Sequence, residues 1–167
     1  MYNFIHIESS GIGHGSYPIE IGVALADGRR HCTLICPPME WLHWEESDKR
    51  SSTLSREKLL VNGRSVLEVA LSLNEWLGDA VVYSDAWGND VCWLAELYRQ
   101  AGVRQRFTLE TVSVLVARCD ELVWQVAKSE ADETLCRRRW RASNRAAVLQ
   151  NAAAKALSAG TRIQAVF

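Results

Sequence analysis

The sequence has no apolar run that approaches the roughly 18 to 20 residues needed to cross a bilayer. Its first residues, MYNFIHIESS, also lack the basic stretch and apolar segment of a secretory leader. We therefore expect a cytoplasmic protein that makes no contact with a membrane.

An excess of charge of either sign is missing as well. The chain has 19 Lys and Arg residues against 20 Asp and Glu, which gives a formal net charge of -1 at pH 7. This balance argues against a long basic tail for non-specific nucleic-acid binding and points to no partner. The length of 167 residues, with 48% hydrophobic and 23% charged, is typical of one globular domain, which we assign to residues 1–167.

Paired cysteines are also absent. The five cysteines form an odd set without a CxxC pair, and each lies among apolar neighbours or in a helical pattern. They are Cys32, Cys36, Cys92, Cys119 and Cys136. This pattern predicts buried free thiols rather than disulfides or a zinc site.

The first half of the chain shows strand patterns followed by a helix. Alternating apolar residues predict strands over Tyr2–Glu8, Ile19–Ala26 and His31–Cys36, which would form an antiparallel meander. Helical spacing predicts a helix from Ser65 to Leu77, and the wholly apolar segment Ala80–Tyr83 then predicts a buried, parallel strand.

The second half is mainly helical. Helical spacing returns at Asp90–Gln100, Thr111–Ala127 and Asn144–Leu157, with a short strand expected near Arg106–Leu109. The order of elements predicts an α/β fold in which three antiparallel strands and then parallel strands form one mixed sheet flanked by helices.

Carboxylates fall at one edge of this predicted sheet. Glu8 ends the first strand, and Asp90 opens the helix after the apolar strand. Open α/β sheets place their sites at this C-terminal edge. Asp85, in the turn between strand and helix, is either a third acid of the site or, like Asn89, a cap of the helix.

Four segments resemble one enzyme family. They are FIHIESSG at 4–11, YPIEIG at 17–22, DVCWL at 90–94 and RWRASNRA at 139–146. Together they resemble the DEDD-type 3'–5' exonucleases, the DnaQ-like branch of the ribonuclease H-like fold, and specifically the DEDDh subclass. The resemblance covers most of the chain. It implies a ribonuclease H-like fold, a single-stranded DNA or RNA substrate, and Mg²⁺ or Mn²⁺ as the cofactor if the site is active.

Three of the five site residues that the resemblance implies are replaced. His6 stands where the family has its first Asp, Trp140 where it has the general-base His, and Arg145 where it has the last Asp. Glu8 and Asp90 are retained as metal ligands, and Asp85 is a further candidate. Two carboxylates are a poor cage for two cations, and an indole N–H cannot accept a proton from water.

The last predicted helix cannot supply the missing acid, because residues 144–167 include no Asp or Glu. We expect Arg145 to replace the metal and to neutralise Glu8 and Asp90. The alternative is that Arg145 is a surface residue.

A basic and aromatic segment precedes that helix. Trp140 is surrounded by Arg137, Arg138, Arg139 and Arg141. Such a mixture suits a single strand, because arginines bind phosphates while an indole stacks on a base. The alternative is a solvated loop with one buried tryptophan.

These observations favour an exonuclease-fold protein with an impaired catalytic centre that binds single-stranded nucleic acid or a protein partner. The alternative is a working metal-dependent 3'–5' exonuclease with a site rearranged from His6, Glu8, Asp85 and Asp90. It requires Asp85 to point towards Glu8 and Asp90. A third alternative is an oligomer, such as a homodimer, which an exposed apolar patch on the helix at Thr111–Ala127 would favour.

Overall fold

The computed structural model describes residues 1–45, 54–135 and 141–164, and the side chains of the last range as far as residue 159. The strands are β1 (Asn3–Ser9), β2 (Pro18–Ala24), β3 (Arg30–Leu34), β4 (Val81–Ser84) and β5 (Thr108–Thr111). The helices are α1 (Arg56–Asn62), α2 (Val66–Leu77), α3 (Trp87–Ala101), α4 (Ser113–Val116), α5 (Glu121–Leu135) and α6 (Ala142–Gln164). Within these ranges, none of the helices is both long enough and apolar enough to span a membrane.

The five strands form one mixed sheet in the order β3-β2-β1-β4-β5. β1, β2 and β3 are antiparallel neighbours, whereas β4 runs parallel to both β1 and β5. The chain reverses between β2 and β3 at Gly28, whose φ of 91° suits a residue without a Cβ. The predicted mixed sheet, with an antiparallel meander followed by parallel strands, is confirmed, but β4 is not wholly buried because Val81 is 47% exposed.

The two faces of the sheet are covered by different helices. Ile5 and Ile7 of β1 point into a core with α2 and α3, while Phe4 joins a second core with α5 and α6. Because side chains alternate along a strand, His6 and Glu8 lie on the face of Phe4, which α6 covers. The alternation of β1 therefore places two candidate site residues beneath the last helix.

The predicted helix over Thr111–Ala127 has the wrong bounds. β5 ends at Thr111, the short helix α4 follows, and α5 begins only at Glu121. Asp120 causes the restart, because its Oδ1 accepts the backbone N–H groups of Leu122 at 2.8 Å and Val123 at 3.1 Å. Apolar spacing continues across this break and therefore could not reveal it.

The predicted state of the cysteines is correct in part. Cys32, Cys36, Cys92 and Cys119 are free thiols. The first two and the last are partly buried, but Cys92 is exposed on α3 because its neighbours Trp93 and Leu94 take the inward positions. Cys136 lies outside the described residues.

A buried carboxylate on β2 fixes the start of α6. Glu20 is 1% exposed, and its Oε2 accepts the backbone N–H of Ala142 at 2.9 Å. Its Oε1 accepts Nε of Arg141 at 2.5 Å. This pairing satisfies a helix N–H that would otherwise lack a partner and neutralises the buried charge.

Gly22 makes the close approach of α6 possible. A Cβ at position 22 would lie 2.0 Å from the backbone nitrogen of Ser143 and 2.1 Å from the carbonyl carbon of Ala142. Backbone atoms cannot swing aside as the end of a long side chain can. A residue larger than glycine at this position would lift the helix from the sheet.

We expect Gly22→Ala to lower the free energy of unfolding by about 3 kcal/mol, since the added methyl group overpacks the contact with α6. Urea titration followed by circular dichroism measures the effect. Gly88→Ala is the matched control, because a Cβ there meets nothing within 4 Å and α3 gains a better helix former. Equal stability of the two variants would contradict this account of α6.

Candidate functional site

The candidate site lies where β1 and β4 end. These strands are parallel neighbours, so their C-terminal ends meet at the same edge of the sheet. Glu8 is near the end of β1, while Asp85 follows β4 and Asp90 lies in the first turn of α3. The structure brings these three carboxylates together around His6.

The side chains of the site form a chain of alternating charge. His6 Nε2 lies 3.1 Å from Glu8 Oε1, and His6 Nδ1 lies 3.9 Å from Asp85 Oδ1. Lys128 of α5 then donates from Nζ to Asp85 Oδ2 at 2.9 Å. Two cations, when His6 is protonated, therefore alternate with two carboxylates.

The neighbours shift the protonation of this chain. Burial lowers the pKa of His6, but the carboxylates of Asp85 and Glu8 outweigh burial and raise the pKa to about 9. Burial alone would raise the pKa of Asp85, but His6 and Lys128 hold it well below its usual range. His6 is consequently a cation at neutral pH, and Asp85 is an anion.

Asp90 occupies a different environment. Its side chain is fully buried, Ser84 Oγ donates to its Oδ2, and its Oδ1 has no hydrogen-bond partner among the described residues. Burial raises the pKa of Asp90 to about 6, although the hydrogen bond from Ser84 opposes this shift. Ser84 Oγ also accepts the backbone N–H of Ala86 at 3.0 Å and thereby fixes the turn into α3.

The donor set does not fit a pair of divalent cations. Among the described residues, no group of three or more His, Cys, Asp and Glu side chains is arranged to hold a metal ion. Protonated His6 has no lone pair to offer, and Lys128 places its ammonium on Asp85. Asp90 Oδ1 is a carboxylate oxygen that no described residue contacts by a hydrogen bond, and one such oxygen cannot hold two metal ions.

Asp85 does not cap α3. The N-cap residue is Ala86, which makes no side-chain cap hydrogen bond, so capping by Asp85 or Asn89 was the wrong expectation. Asp85 instead points towards His6, on the side of Glu8 and Asp90, as the rearranged catalytic site requires. Its partners, however, are side-chain cations.

Among the described residues, the acid that Arg145 pairs with is Asp132 rather than the predicted Asp90. Arg145 Nη1 donates to Asp132 Oδ1 of α5 at 2.6 Å, whereas Asp90 Oδ1 has no hydrogen-bond partner in the described part of the chain. The physical reason is that α5 packs alongside α6 and presents Asp132 to this guanidinium. His6 and Lys128 bring positive charge to Glu8 and Asp85.

The basic and aromatic segment is described only at its last residue. Arg137, Arg138, Arg139 and Trp140 lie outside the described residues. Arg141 binds Glu20 and also donates from Nη2 to Cys32 Sγ at 3.4 Å. The structure thus gives Arg141 a part in anchoring α6, and contact of this segment with nucleic acid stays a prediction.

Lys128 and Ser84 belong to the site, although the sequence did not point to Lys128 and gave Ser84 no role. Lys128 is 43 residues from Asp85, and no local spacing connects them. Only the correct start of α5 at Glu121 would have placed Lys128 on the face towards β4. Ser84 could have been found as the polar end of an apolar strand that precedes a buried acid.

Solved structures provide the similarities to known proteins. A structure of E. coli exonuclease I in complex with a 5cy-dT13 oligonucleotide matches with a TM-score of 0.60 and 9% identity, over 99% of this chain and 42% of that chain. Another, with a dA16 oligonucleotide, matches with a TM-score of 0.53 and 9% identity, over 78% of this chain and 30% of that chain.

A third match is the structure of the yeast NOT1 MIF4G domain co-crystallized with CAF1. Its TM-score is 0.55 with 12% identity, over 98% of this chain and 80% of that chain. No protein-family model and no curated protein matches the sequence. The chain therefore has an α/β fold similar to that of exonuclease I, and it spans less than half the length of that protein.

We expect Asp90→Asn to raise the free energy of unfolding by about 2 kcal/mol at pH 8, because the folded protein no longer buries a charge. The folded pKa of about 6 exceeds the ordinary 3.8, so the ionised carboxylate destabilises the fold above pH 6. The gain should shrink as the pH falls from 7 to 4, because Asp90 then becomes protonated. Urea titrations in EDTA at each pH measure it.

The control is Asp79→Asn, which removes an exposed carboxylate that pairs with Arg106. It should give no gain at any of these pH values. Loss of stability in Asp90→Asn at pH 8 would mean that the folded state favours the ionised carboxylate, contrary to the effect expected from its burial.

Proposed function

We propose that this protein is a catalytically impaired member of the DEDDh exonuclease group that binds single-stranded nucleic acid at the C-terminal edge of its sheet. The observation that carries the proposal is the chain Glu8–His6–Asp85–Lys128. Two carboxylates that could serve as metal ligands are already paired with side-chain cations. The fold is kept, and the charge that metal ions would supply comes from the protein.

Charge explains why such a site suits binding better than hydrolysis. Metal-dependent phosphodiester cleavage needs cations that contact both the attacking and the leaving oxygen. The cations of His6 and Lys128 are held by carboxylates, and Trp140 cannot act as a general base in place of His. The same two cations reduce the repulsion that bare carboxylates would exert on a phosphate backbone.

An exposed aromatic residue lies next to the site. Trp87 begins α3 and is 44% exposed, with its Nε1 donating to the carbonyl of Leu109 at 3.2 Å. This hydrogen bond holds the indole in place while leaving much of its surface open. A base of a single strand can stack on such a ring without sequence preference.

The second candidate function is a working exonuclease with a rearranged site. Two observations favour it: Asp85 points towards His6, and Asp90 Oδ1 lacks a hydrogen-bond partner within residues 1–45, 54–135 and 141–159. It would require Mg²⁺ or Mn²⁺ to displace two side-chain cations. The first proposal requires no such displacement.

The test combines strand binding with metal binding. We expect the unaltered protein to bind fluorescent 3'-tailed single-stranded DNA or RNA in EDTA, and to leave both intact with Mg²⁺ or Mn²⁺. The double variant His6→Asp/Lys128→Ala removes both cations and adds a carboxylate. Because it removes two cations that compete with a metal ion and adds one carboxylate, it should gain Mn²⁺ binding by calorimetry, and its strand binding should become dependent on Mn²⁺.

The control is His6→Asn/Lys128→Ala, which removes the same cations without adding a carboxylate and should bind less Mn²⁺. Hydrolysis by the unaltered protein, abolished in Asp90→Asn, would overturn the proposed impairment in favour of the working exonuclease. Failure to bind either strand would overturn nucleic-acid binding and leave a protein partner as the function to test.

Two further expectations stay predictions. Leu122 and Val126 of α5 are exposed, as a homodimer through this region would require, but exposure alone does not identify a second copy. A cytoplasmic location is likewise proposed from the sequence. Sedimentation velocity of the full chain tests the first, and imaging of a tagged chain tests the second.

A further inference from the structure

The loop between β1 and β2 holds a carboxylate of its own chain. Glu45 Oε2 accepts the backbone N–H of Ile12 at 3.2 Å, and its Oε1 accepts the N–H of Gly13 at 3.0 Å. His43 Nε2 lies 3.0 Å from the same Oε1. Three donors thus converge on one anionic group that comes from a distant part of the sequence.

Two glycines make room for this anion. A Cβ at Gly13 would lie 2.7 Å from Glu45 Oε1, and one at Gly11 would lie 2.5 Å from Glu45 Cδ. Any larger residue at either position would fill the space that the carboxylate occupies. The loop is therefore a cradle with consecutive N–H groups, a backbone arrangement that binds anions such as phosphate.

The carboxylate can leave this cradle without loss of its anchor. The backbone N–H of Glu45 donates to the carbonyl of Ser10 at 2.8 Å, and His43 Nδ1 lies 3.3 Å from Ser10 Oγ. These contacts hold the segment whatever the carboxylate does. The Glu45 side chain is 42% exposed, so its carboxylate borders the solvent into which it would rotate.

A cavity lies beside the cradle, between the loop and α3. It measures about 310 Å³ and is bounded by the loop at 12–16 and by Asn89, Cys92 and Trp93 of α3. This volume is at the lower end of ligand pockets. Trp93 Nε1 donates to Ser16 Oγ at 3.0 Å and ties the loop to the helix that carries Asp90.

We propose that the loop Gly11–Ser16 is a phosphate-binding site for a nucleotide and that the Glu45 carboxylate occupies it until the phosphate arrives. The inference rests on the proposed function, because it assigns one phosphate of the bound strand to this loop. The N–H groups of Ile12 and Gly13 and the imidazole of His43 bind the phosphate oxygens. The sugar and base lie in the cavity against Trp93.

The competition between Glu45 and phosphate can be measured directly at the loop. In Glu45→Ala, inorganic phosphate and thymidine monophosphate should shift the backbone amide resonances of Ile12 and Gly13, and thymidine without phosphate should not. We expect Glu45→Ala to bind phosphate about tenfold more tightly than the unaltered protein does. This ratio corresponds to an unaltered protein in which Glu45 leaves the cradle open in about a tenth of the molecules. Titrations followed by ¹H–¹⁵N spectra provide both values.

Three further variants serve as controls for this test. Glu45→Gln keeps an acceptor for the loop N–H groups and removes only the charge. Its affinity for phosphate should therefore lie between that of the unaltered protein and that of Glu45→Ala. Glu45→Ala/Gly13→Ala fills the cradle with a Cβ and should lose the gain. Glu40→Ala removes another exposed carboxylate near Glu45 in the sequence and should leave the affinity unchanged.

The outcomes separate this inference from the proposed function. The phosphate site would be overturned if Glu45→Ala and Glu45→Gln are folded but neither inorganic phosphate nor thymidine monophosphate shifts the amide resonances of Ile12 and Gly13. If a dT oligonucleotide still binds in that case, the proposed function stands. Phosphate binding at these amides without oligonucleotide binding would support the site for free nucleotides and overturn the proposed function.

Discussion

The geometry of the molecule depends on one buried carboxylate, Glu20 on β2. It accepts the first N–H of α6 and the guanidinium of Arg141, at a point where Gly22 lets the two backbones touch. α6 in turn packs against α5. α5 brings Lys128 to Asp85. An interaction on the second strand therefore sets the charge of a site at the ends of β1 and β4.

The side chains of the candidate site compensate the repulsion between its own carboxylates. Carboxylates gathered at one sheet edge repel each other, and burial makes each ionised form more costly. His6 and Lys128 compensate the negative charge of Glu8 and Asp85. Asp90 adds less repulsion at mildly acid pH, because its raised pKa keeps it protonated there. The fold thus accommodates the acidic edge with side chains of its own, and the proposed function follows from this compensation.

The sequence predicted the elements with strong local patterns and missed what depends on distant contacts. Strand alternation gave the meander and the parallel strand β4, and the topology brought Glu8 and Asp90 to one edge. The break at Asp120 was missed because apolar spacing continues through it. The partners of Lys128 and Arg145 could not be predicted, because they depend on how α5 packs against its neighbours. The predicted role of residues 137–140 stays a prediction, because these residues lie outside the described ones.

The pairing of β1 with β2 shifts register between Glu8 and Ser9. Pairing continues beyond this shift, because the backbone N–H of Ser10 donates to the carbonyl of Tyr17. Ile12 and Gly13 lie in the loop that follows, and their N–H groups donate to Glu45. A hairpin whose connection is longer than a tight turn thus has backbone donors at its tip that a distant part of the chain can bind.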